Sequence, residues 1–101
     1  MRLRIAPQAL SDLQNIKNYI VKELKSPAAA EKILRKIIAD YNQLEKLPFL
    51  GLDLTAKIGV PVNYRFLVSG NYLIFYQTEK QYVSIIRVIY AKRDYKKLLG
   101  L

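Results

Sequence analysis

The stretch that decides the fold is residues 62–99, VNYRFLVSGNYLIFYQTEKQYVSIIRVIYAKRDYKKLL. Its three apolar, tyrosine-rich runs, at residues 62–69, 72–77 and 82–90, have the alternation or the β-branched content of strands. Ser69-Gly70-Asn71 is a hairpin signal because Gly and Asn tolerate positive φ. If Gly70-Asn71 is a two-residue turn, Arg65 pairs with Tyr76. The stretch therefore predicts a three-stranded meander followed by a basic tail.

The first half of the chain predicts a short strand and a helical hairpin. Residues 1–6 alternate apolar and basic side chains, and Pro7 suits the first turn of a helix. Lys25-Ser26-Pro27 breaks that helix, since Ser26 can cap a second helix and Pro27 can occupy its first position. The predicted stripe of the first helix is Leu10, Leu13, Ile16 or Lys17, Ile20 and Leu24, and that of the second is Ala30, Ile33, Leu34, Ile37, Ile38, Tyr41 and Leu44. Asp12 lies on the polar faces of the first helix, and residues 49–61 are predicted to be a loop.

These elements give the order strand, helix, helix, three strands and a short basic helix or tail. The fold class is therefore α+β, with the hairpin packed on a mainly antiparallel sheet. A length of 101 residues indicates one domain, residues 1–101, large enough to bury a core without disulfides or metal. Apolar residues on both faces of the last strand predict a strand that is covered on both sides.

Composition excludes several kinds of chemistry. The chain has no cysteine and no histidine, so cysteine nucleophiles and histidine bases are impossible, and we expect neither a metal nor a cofactor. Arg2 and Arg4 interrupt any signal-peptide core, and no window approaches the roughly 20 apolar residues that cross a bilayer. We therefore expect a cytoplasmic protein. A net charge of +9 attracts nucleic acid or acidic proteins, although solubility alone is an alternative explanation.

Four segments, in this order and spacing, carry a family resemblance. They are ALSDLQNIKNYI at residues 9–20, LEKLPFLG at 44–51, NYLIFYQ at 71–77 and RVIYAKRDYKKLL at 87–99. Jointly they resemble the RelE/ParE superfamily of bacterial toxins from type II toxin–antitoxin modules, over nearly the whole chain. The resemblance implies the β-α-α-β-β-β fold of that superfamily and a protein that arrests bacterial growth.

The superfamily contains two activities, and the resemblance is closer to its ParE-type branch of DNA gyrase inhibitors. The ending matches that branch at Arg93-Asp94 and Leu98-Leu99, and the resemblance assigns no catalytic residues there. The alternative is a RelE-type ribosome-dependent mRNA endonuclease, for which it implies Arg65, Lys92, Arg93 and Tyr95 as catalytic residues. That set is incomplete, because Leu73 and Leu99 stand where the RelE type has an arginine and a tyrosine. A non-toxic nucleic-acid-binding domain is a second alternative.

Six basic residues are predicted to bind the target: Arg65, Arg87, Lys92, Arg93, Lys96 and Lys97. Structural explanations without a binding role remain open. Arg65 and Arg87 could pair with Asp53 or Glu79 or stand in solvent. The basic tail could be the solvated face of a helix. The resemblance also implies the partners. They are a small cognate antitoxin with an acidic toxin-binding segment, and either DNA gyrase or the ribosome with mRNA, but no membrane.

Overall fold

The predicted meander is present in the computed structural model, which describes all 101 residues. The elements are β1 (Arg2–Ile5), α1 (Pro7–Leu24), α2 (Pro27–Asn42), a 3-10 turn (Gln43–Glu45), β2 (Leu52–Asp53), α3 (Leu54–Ile58), β3 (Arg65–Ser69), β4 (Tyr72–Glu79), β5 (Tyr82–Tyr90) and α4 (Tyr95–Leu98). The α+β class, the helical hairpin and the short basic C-terminal helix are confirmed. The prediction of a loop over residues 49–61 was wrong, because this segment contains β2 and α3.

The sheet has five strands in the order β1-β5-β4-β3-β2. β1 runs parallel to β5, and the other neighbours are antiparallel. Arg65 lies opposite Tyr76, so the predicted turn at Gly70-Asn71 and its register are confirmed. A bulge between β4 and β5 places Phe75 opposite Arg87 but Tyr76 opposite Ile85, which leaves Ile86 as an extra residue in β5.

The helical hairpin begins and turns where its local sequence requires. Pro7 occupies the first turn of α1, where its missing N–H has no helical partner to lose. α1 ends with Lys25 in the left-handed region, at a φ of 49°. Ser26 then caps α2 by accepting a hydrogen bond of 3.1 Å from the Ala29 N–H. The two helices therefore lie antiparallel on one face of the sheet.

Each face of the sheet carries its own core. The hairpin side contains Ala9, Ile37, Tyr41, Leu44, Ile74, Tyr76, Val83, Ile85 and Val88, all buried. The opposite side contains Leu54, Phe66, Leu73, Phe75 and Ile89, with Tyr95, Leu98 and Leu99 of the C-terminal segment packed against them. α3 and α4 thus cover the face that the hairpin leaves open, as expected for strands with apolar residues on both faces.

The buried stripe of α1 differs from the predicted one. Leu10 and Leu24 are 55% and 60% exposed, whereas Ala9, Asp12 and Ile20 are buried. Asp12 was therefore wrongly placed on the polar faces. The helix is rotated so that a carboxylate points inward, which requires a buried partner for that charge. In α2 the predicted stripe holds, apart from Ile38, which is 38% exposed.

The connection between α2 and β3 is tied to the sheet at Gly51. The Tyr76 hydroxyl, buried inside the first core, accepts a hydrogen bond of 2.9 Å from the Gly51 N–H. A Cβ at position 51 would lie only 2.5 Å from the Phe66 carbonyl oxygen. Position 51 therefore requires glycine, because the Phe66 backbone leaves no room for a Cβ. None of the helices α1 to α4 combines the length and the hydrophobicity that a bilayer-spanning helix needs.

Candidate partner-binding surface

The candidate surface begins where β5 loses its outer neighbour. β1 pairs with β5 only as far as Ile85, because Pro7 starts α1 immediately afterwards. Beyond that point Asp12 of α1 lies against the exposed strand edge. Its Oδ2 atom accepts a hydrogen bond of 2.9 Å from the Val88 N–H. A carboxylate thus completes the edge of the sheet where a strand would otherwise be needed.

Arg87 joins three elements through one guanidinium. Its Nε and Nη2 donate to the Asp12 carboxylate at 2.7 and 3.0 Å, and its Nη1 donates to the Leu98 carbonyl at 3.0 Å. The hydrogen bond to Asp12 is the main cause that raises the pKa of Arg87 above its ordinary value. The partner of Arg87 is therefore Asp12, and neither Asp53 nor Glu79. This ion pair, with side chains only 15% and 8% exposed, fixes α4 relative to α1.

The segment after β5 is a tight turn that leads into α4. The Ala91 N–H donates to the Asn71 carbonyl at 2.8 Å, and the Arg93 N–H donates to the Tyr90 carbonyl at 3.0 Å. The Asp94 side chain then caps α4 by accepting from the Lys97 N–H at 3.3 Å. These backbone contacts give Lys92 and Arg93 a defined position at the end of the sheet.

Four of the predicted target-binding residues are exposed and free of ion pairs. They are Lys92, Arg93, Lys96 and Lys97, which we call the basic C-terminal surface. The ion pairs of the chain join Arg4 to Glu79, Arg35 to Glu31, Lys36 to Asp40 and Arg87 to Asp12. The nearest carboxylate in sequence, Asp94, is engaged in the cap. This surface therefore presents four positive charges that no carboxylate of the chain neutralises.

Arg65 differs from these four residues, because its guanidinium is bound by backbone carbonyls of the same chain. Its Nη2 donates to the Gly51 carbonyl at 2.6 Å and to the Phe49 carbonyl at 3.3 Å. The Phe49 ring lies 5.2 Å from the guanidinium carbon, within cation–π range. Its Nε is buried and has no hydrogen-bond partner. These contacts give Arg65 a role in holding the 49–51 segment, and its part in target binding stays a prediction.

The four residues implied for a ribonuclease do not converge. Arg65 lies opposite Tyr76, whose side chain belongs to the hairpin-side core. The Tyr95 ring stacks on Phe75 in the other core, with ring centroids 5.4 Å apart. Arg65 and Tyr95 therefore belong to opposite faces of the sheet, with Lys92 and Arg93 in the turn beyond β5. The structure also contains no group of three His, Cys, Asp or Glu side chains that could hold a metal ion.

A cavity of about 600 Å³ lies between α1 and the end of β5. We call it the tyrosine cavity, and its lining is Asp12, Asn15, Ile16, Tyr19, Tyr72, Val88, Tyr90 and Arg93. The rings of Tyr72 and Tyr90 meet edge to face, with centroids 5.8 Å apart. Burial raises the pKa of Tyr72, and the neighbouring Tyr90 and Tyr19 hydroxyls raise it further. The cavity thus combines three aromatic rings with one free cation.

Of the residues that line the cavity, only Arg93 was predicted from the sequence to bind a partner, and the α1 residues Asp12 and Tyr19 were not. Asp12, Asn15, Ile16 and Tyr19 recur at steps of three, one and three residues, so they share one helical face. That face is mostly polar, and for this reason the hydrophobic pattern assigns it to solvent. Asp12 could have been recognised from the sequence, because it is a carboxylate on this face of a helix that must pack against a strand containing an arginine with no assigned partner.

The fold and the surface define a class of protein, a small basic α+β domain of the RelE/ParE superfamily architecture. The family model described as ParE toxin of type II toxin-antitoxin system, parDE, matches residues 3–95. Since that match covers most of its length, the chain belongs to this family. It is therefore the toxin component of a type II toxin–antitoxin system, and its partner is a cognate antitoxin.

A solved structure agrees with this family. The chain is similar to a chain of the chromosomal ParDE TA system from P. aeruginosa, with a TM-score of 0.78 and 18% sequence identity. The superposition covers 91% of this chain and 97% of that chain. At this identity the likeness is one of fold. A search of curated proteins found no significant match.

Proposed function

We propose that this toxin arrests bacterial growth in the cytoplasm by inhibiting DNA gyrase, and that the basic C-terminal surface contacts the gyrase–DNA complex. The observation that carries the proposal is the set of four exposed cations after β5 that make no ion pair. Such charges attract DNA phosphates and acidic protein surfaces at long range. Membership of the ParE family supports gyrase as the target.

A toxin that inhibits its target by binding alone needs a surface held in a fixed position, but it needs no general acid and no general base. The ion pair between Arg87 and Asp12 supplies the positioning, since Arg87 also binds the carbonyl of Leu98 at the end of α4. An RNA-cleaving site would need a base, an acid and a stabiliser for the charged phosphorus centre on one surface. Arg65 and Tyr95 lie on opposite faces, and this separation favours the gyrase inhibitor over the ribosome-dependent endonuclease.

The antitoxin is proposed to be acidic where it contacts the toxin. A partner that binds a protein of net charge +9 gains both association rate and specificity from opposite charge. Antitoxin segments that fold on binding bind more weakly because their ordering costs conformational entropy. Charge attraction compensates for part of that cost.

A comparison of two activities tests the target. Purified toxin is added to a gyrase supercoiling assay and, separately, to ribosomes programmed with mRNA. We expect supercoiling to be inhibited and the mRNA to remain intact. Transcripts cut within codons together with normal supercoiling would contradict the proposal and favour the endonuclease.

A single substitution tests the surface. We expect Arg93→Ala to weaken gyrase inhibition by about tenfold or more, because it removes an exposed, unpaired cation from the proposed contact. Little stability should be lost at this exposed position. The matched control is Arg2→Ala, which removes the same charge beside Tyr82, at the opposite end of β5. Equal inhibition by the Arg93→Ala and Arg2→Ala variants would remove Arg93 from the contact.

A further inference from the structure

The β2 side of the sheet presents a group of large hydrophobic side chains that nothing in the chain covers. Five exposed members of this group form what we call the apolar edge: Leu47, Phe49, Leu50, Leu52 and Val68. Leu52 is 64% exposed and Val68 is 59% exposed, although both belong to strands. Single exposed hydrophobic residues are ordinary, whereas a contiguous group of them marks an interaction site.

The strand pairing places Leu52 and Val68 side by side. Leu52 lies directly opposite Phe66 in the antiparallel pair of β2 and β3, so these two side chains share one face of the sheet. Val68 follows Phe66 by two residues and therefore points to the same face. Phe66 is buried, and the two exposed side chains flank it at the rim of the sheet.

The turn before β2 adds the other three side chains. The Leu50 N–H donates to the Leu47 carbonyl at 3.0 Å, which folds residues 47–50 into a turn. The Phe49 ring lies against the Arg65 guanidinium at the start of β3. The turn is thus held beside the same edge of the sheet as Leu52.

The backbone of this edge is also open at Val68. β2 reaches along β3 only as far as Phe66, which lies opposite Leu52. The Tyr64 carbonyl accepts from the Leu54 N–H on the β2 side at 2.9 Å. Alternate residues of a strand direct their N–H and C=O groups to the same side, so those of Val68 also point to this side, beyond the end of β2. An edge with exposed apolar side chains and free backbone groups favours contact with another chain.

Charge is nearly absent from this part of a strongly cationic chain. Residues 47–73 contain Asp53, Lys57 and Arg65 as their only charged side chains, which gives a net charge of +1. The remaining +8 of the net charge of +9 lies in the rest of the sequence. Two copies of the chain repel each other through those cations, and the repulsion is weakest where the cations are fewest.

The same distribution disfavours other occupants. Nucleic acid binds to a series of cations that neutralise its phosphates, and an acidic protein segment gains association rate and specificity from opposite charge. A nearly neutral surface offers neither advantage. The driving force that the apolar edge does offer is removal of hydrophobic side chains from water, which a like-charged copy can share.

We propose that the apolar edge is a self-association surface and that its occupant is a second copy of this chain. In a two-fold dimer the same patch of both protomers forms the interface, so Leu52 and Val68 are buried twice in one contact. A dimer carries two basic C-terminal surfaces, and one toxin particle then has two contacts for its target. The inference goes beyond the proposed function and does not depend on gyrase as the target.

Sedimentation equilibrium of the purified toxin tests the association. We expect a monomer–dimer equilibrium with a Kd of about 1–100 μM, as for a small transient interface. Leu52→Lys and Val68→Lys should each raise that Kd by about tenfold or more, because each places two like charges in one apolar contact. Circular dichroism verifies that both variants are folded, and the two changes lie on different strands.

Leu24→Lys is the matched control. Leu24 is 60% exposed in the last turn of α1, outside the apolar edge, and its replacement adds the same charge to the chain. We expect its Kd to stay within about twofold of wild type. Added salt provides a second readout, since it screens the repulsion between two cationic copies and should lower the wild-type Kd.

Three results would overturn the inference. The first is a wild-type toxin that remains monomeric up to about 100 μM. The second is an equal rise in Kd for the Leu52→Lys and Leu24→Lys variants, which would place the contact elsewhere. The third is a dimer that dissociates as salt is added, because such a contact depends on ion pairs. A monomeric toxin whose binding to purified antitoxin is weakened by Leu52→Lys would assign the apolar edge to the antitoxin instead.

Discussion

Asp12 binds two different donors, a guanidinium from β5 and the Val88 N–H at the edge of the same strand. It is the one carboxylate of the chain that is both buried and charge-paired in this way. A buried ion pair adds little net stability, because desolvation of both charges offsets their attraction. Loss of one partner is different, since it leaves the other charge buried and uncompensated.

We expect Asp12→Ala to lower the free energy of unfolding by about 3 kcal/mol, because the charge of Arg87 then has no partner. Urea denaturation measures the change. The double variant Asp12→Ala with Arg87→Met should lose less than Asp12→Ala alone, since no uncompensated charge remains. A double variant that is less stable than Asp12→Ala would show that the main contribution of Arg87 is its bond to Leu98.

Gly51 is the second residue whose identity the packing requires. We expect Gly51→Ala to destabilise the protein by about 1–3 kcal/mol, because its Cβ would collide with the backbone carbonyl of Phe66 and with the Tyr76 hydroxyl. Thermal or urea unfolding measures the loss. Asn63→Ala, an exposed change in the same connection, is the control and should be nearly neutral. Equal midpoints for the two variants would mean that the 49–51 segment can move aside.

Residue patterns predict short-range features well and miss long-range pairs. The pairing of Arg65 with Tyr76 followed from a turn only two residues long. The pairing of Arg87 with Asp12 joins positions 75 residues apart, and no local rule specifies it. The same limit applies to the tyrosine cavity, because Tyr19 comes from α1 whereas Tyr72 and Tyr90 come from the sheet.

Among the elements, α2 has the clearest start signal. Ser26 accepts the Ala29 N–H, and we expect Ser26→Ala to cost about 1 kcal/mol because that helix-end N–H then loses its partner. Differential scanning calorimetry measures the change in Tm. Ser11→Ala, exposed in the interior of α1, is the matched control and should be neutral or slightly stabilising, since alanine favours helix. An unchanged Tm for the Ser26→Ala variant would mean that water replaces the cap.

The two elements that the residue pattern does not predict, β2 and α3, are both short. β2 has two residues and α3 has five, too few for either hydrophobic period to show. Their end signals were nevertheless present. Asp53 caps α3 by accepting from the Thr55 N–H at 2.9 Å, and Gly59 ends it at a φ of 72°. A short helix between an aspartate and a glycine is therefore better recognised by its ends than by its period.

At the scale of the whole molecule, burial of tyrosines links stability to alkaline pH. Burial raises the pKa of Tyr41, and burial with two neighbouring tyrosines raises that of Tyr72. Below about pH 10 these phenols are protonated in both states. Above it the unfolded chain releases protons while the folded chain retains them, so the free energy of unfolding falls until the folded pKa is reached.

We therefore expect stability to fall as the pH rises above about 10, and to fall less in a variant with Tyr41→Phe and Tyr72→Phe. Urea unfolding between about pH 8 and 11 measures the slope, since 10 is the ordinary pKa of tyrosine. Tyr82→Phe, at the far end of β5, is the control. If the free energy of unfolding fell equally steeply with pH in the double variant and in the wild-type protein, the alkaline loss of stability could not be attributed to these two tyrosines.

The parallel pairing of β1 with β5 has a consequence for the order in which the protein is made. A chain is synthesised from its N-terminus, so β1 and α1 exist long before the strand that pairs with them. Until β5 arrives, β1 has no neighbour and Asp12 has no counter-charge, and contacts of such long sequence separation form slowly. The cations proposed to touch the target follow β5 directly. We therefore expect an unfinished chain to be non-toxic, because toxicity requires the N-terminal elements β1 and α1 to be packed against β5.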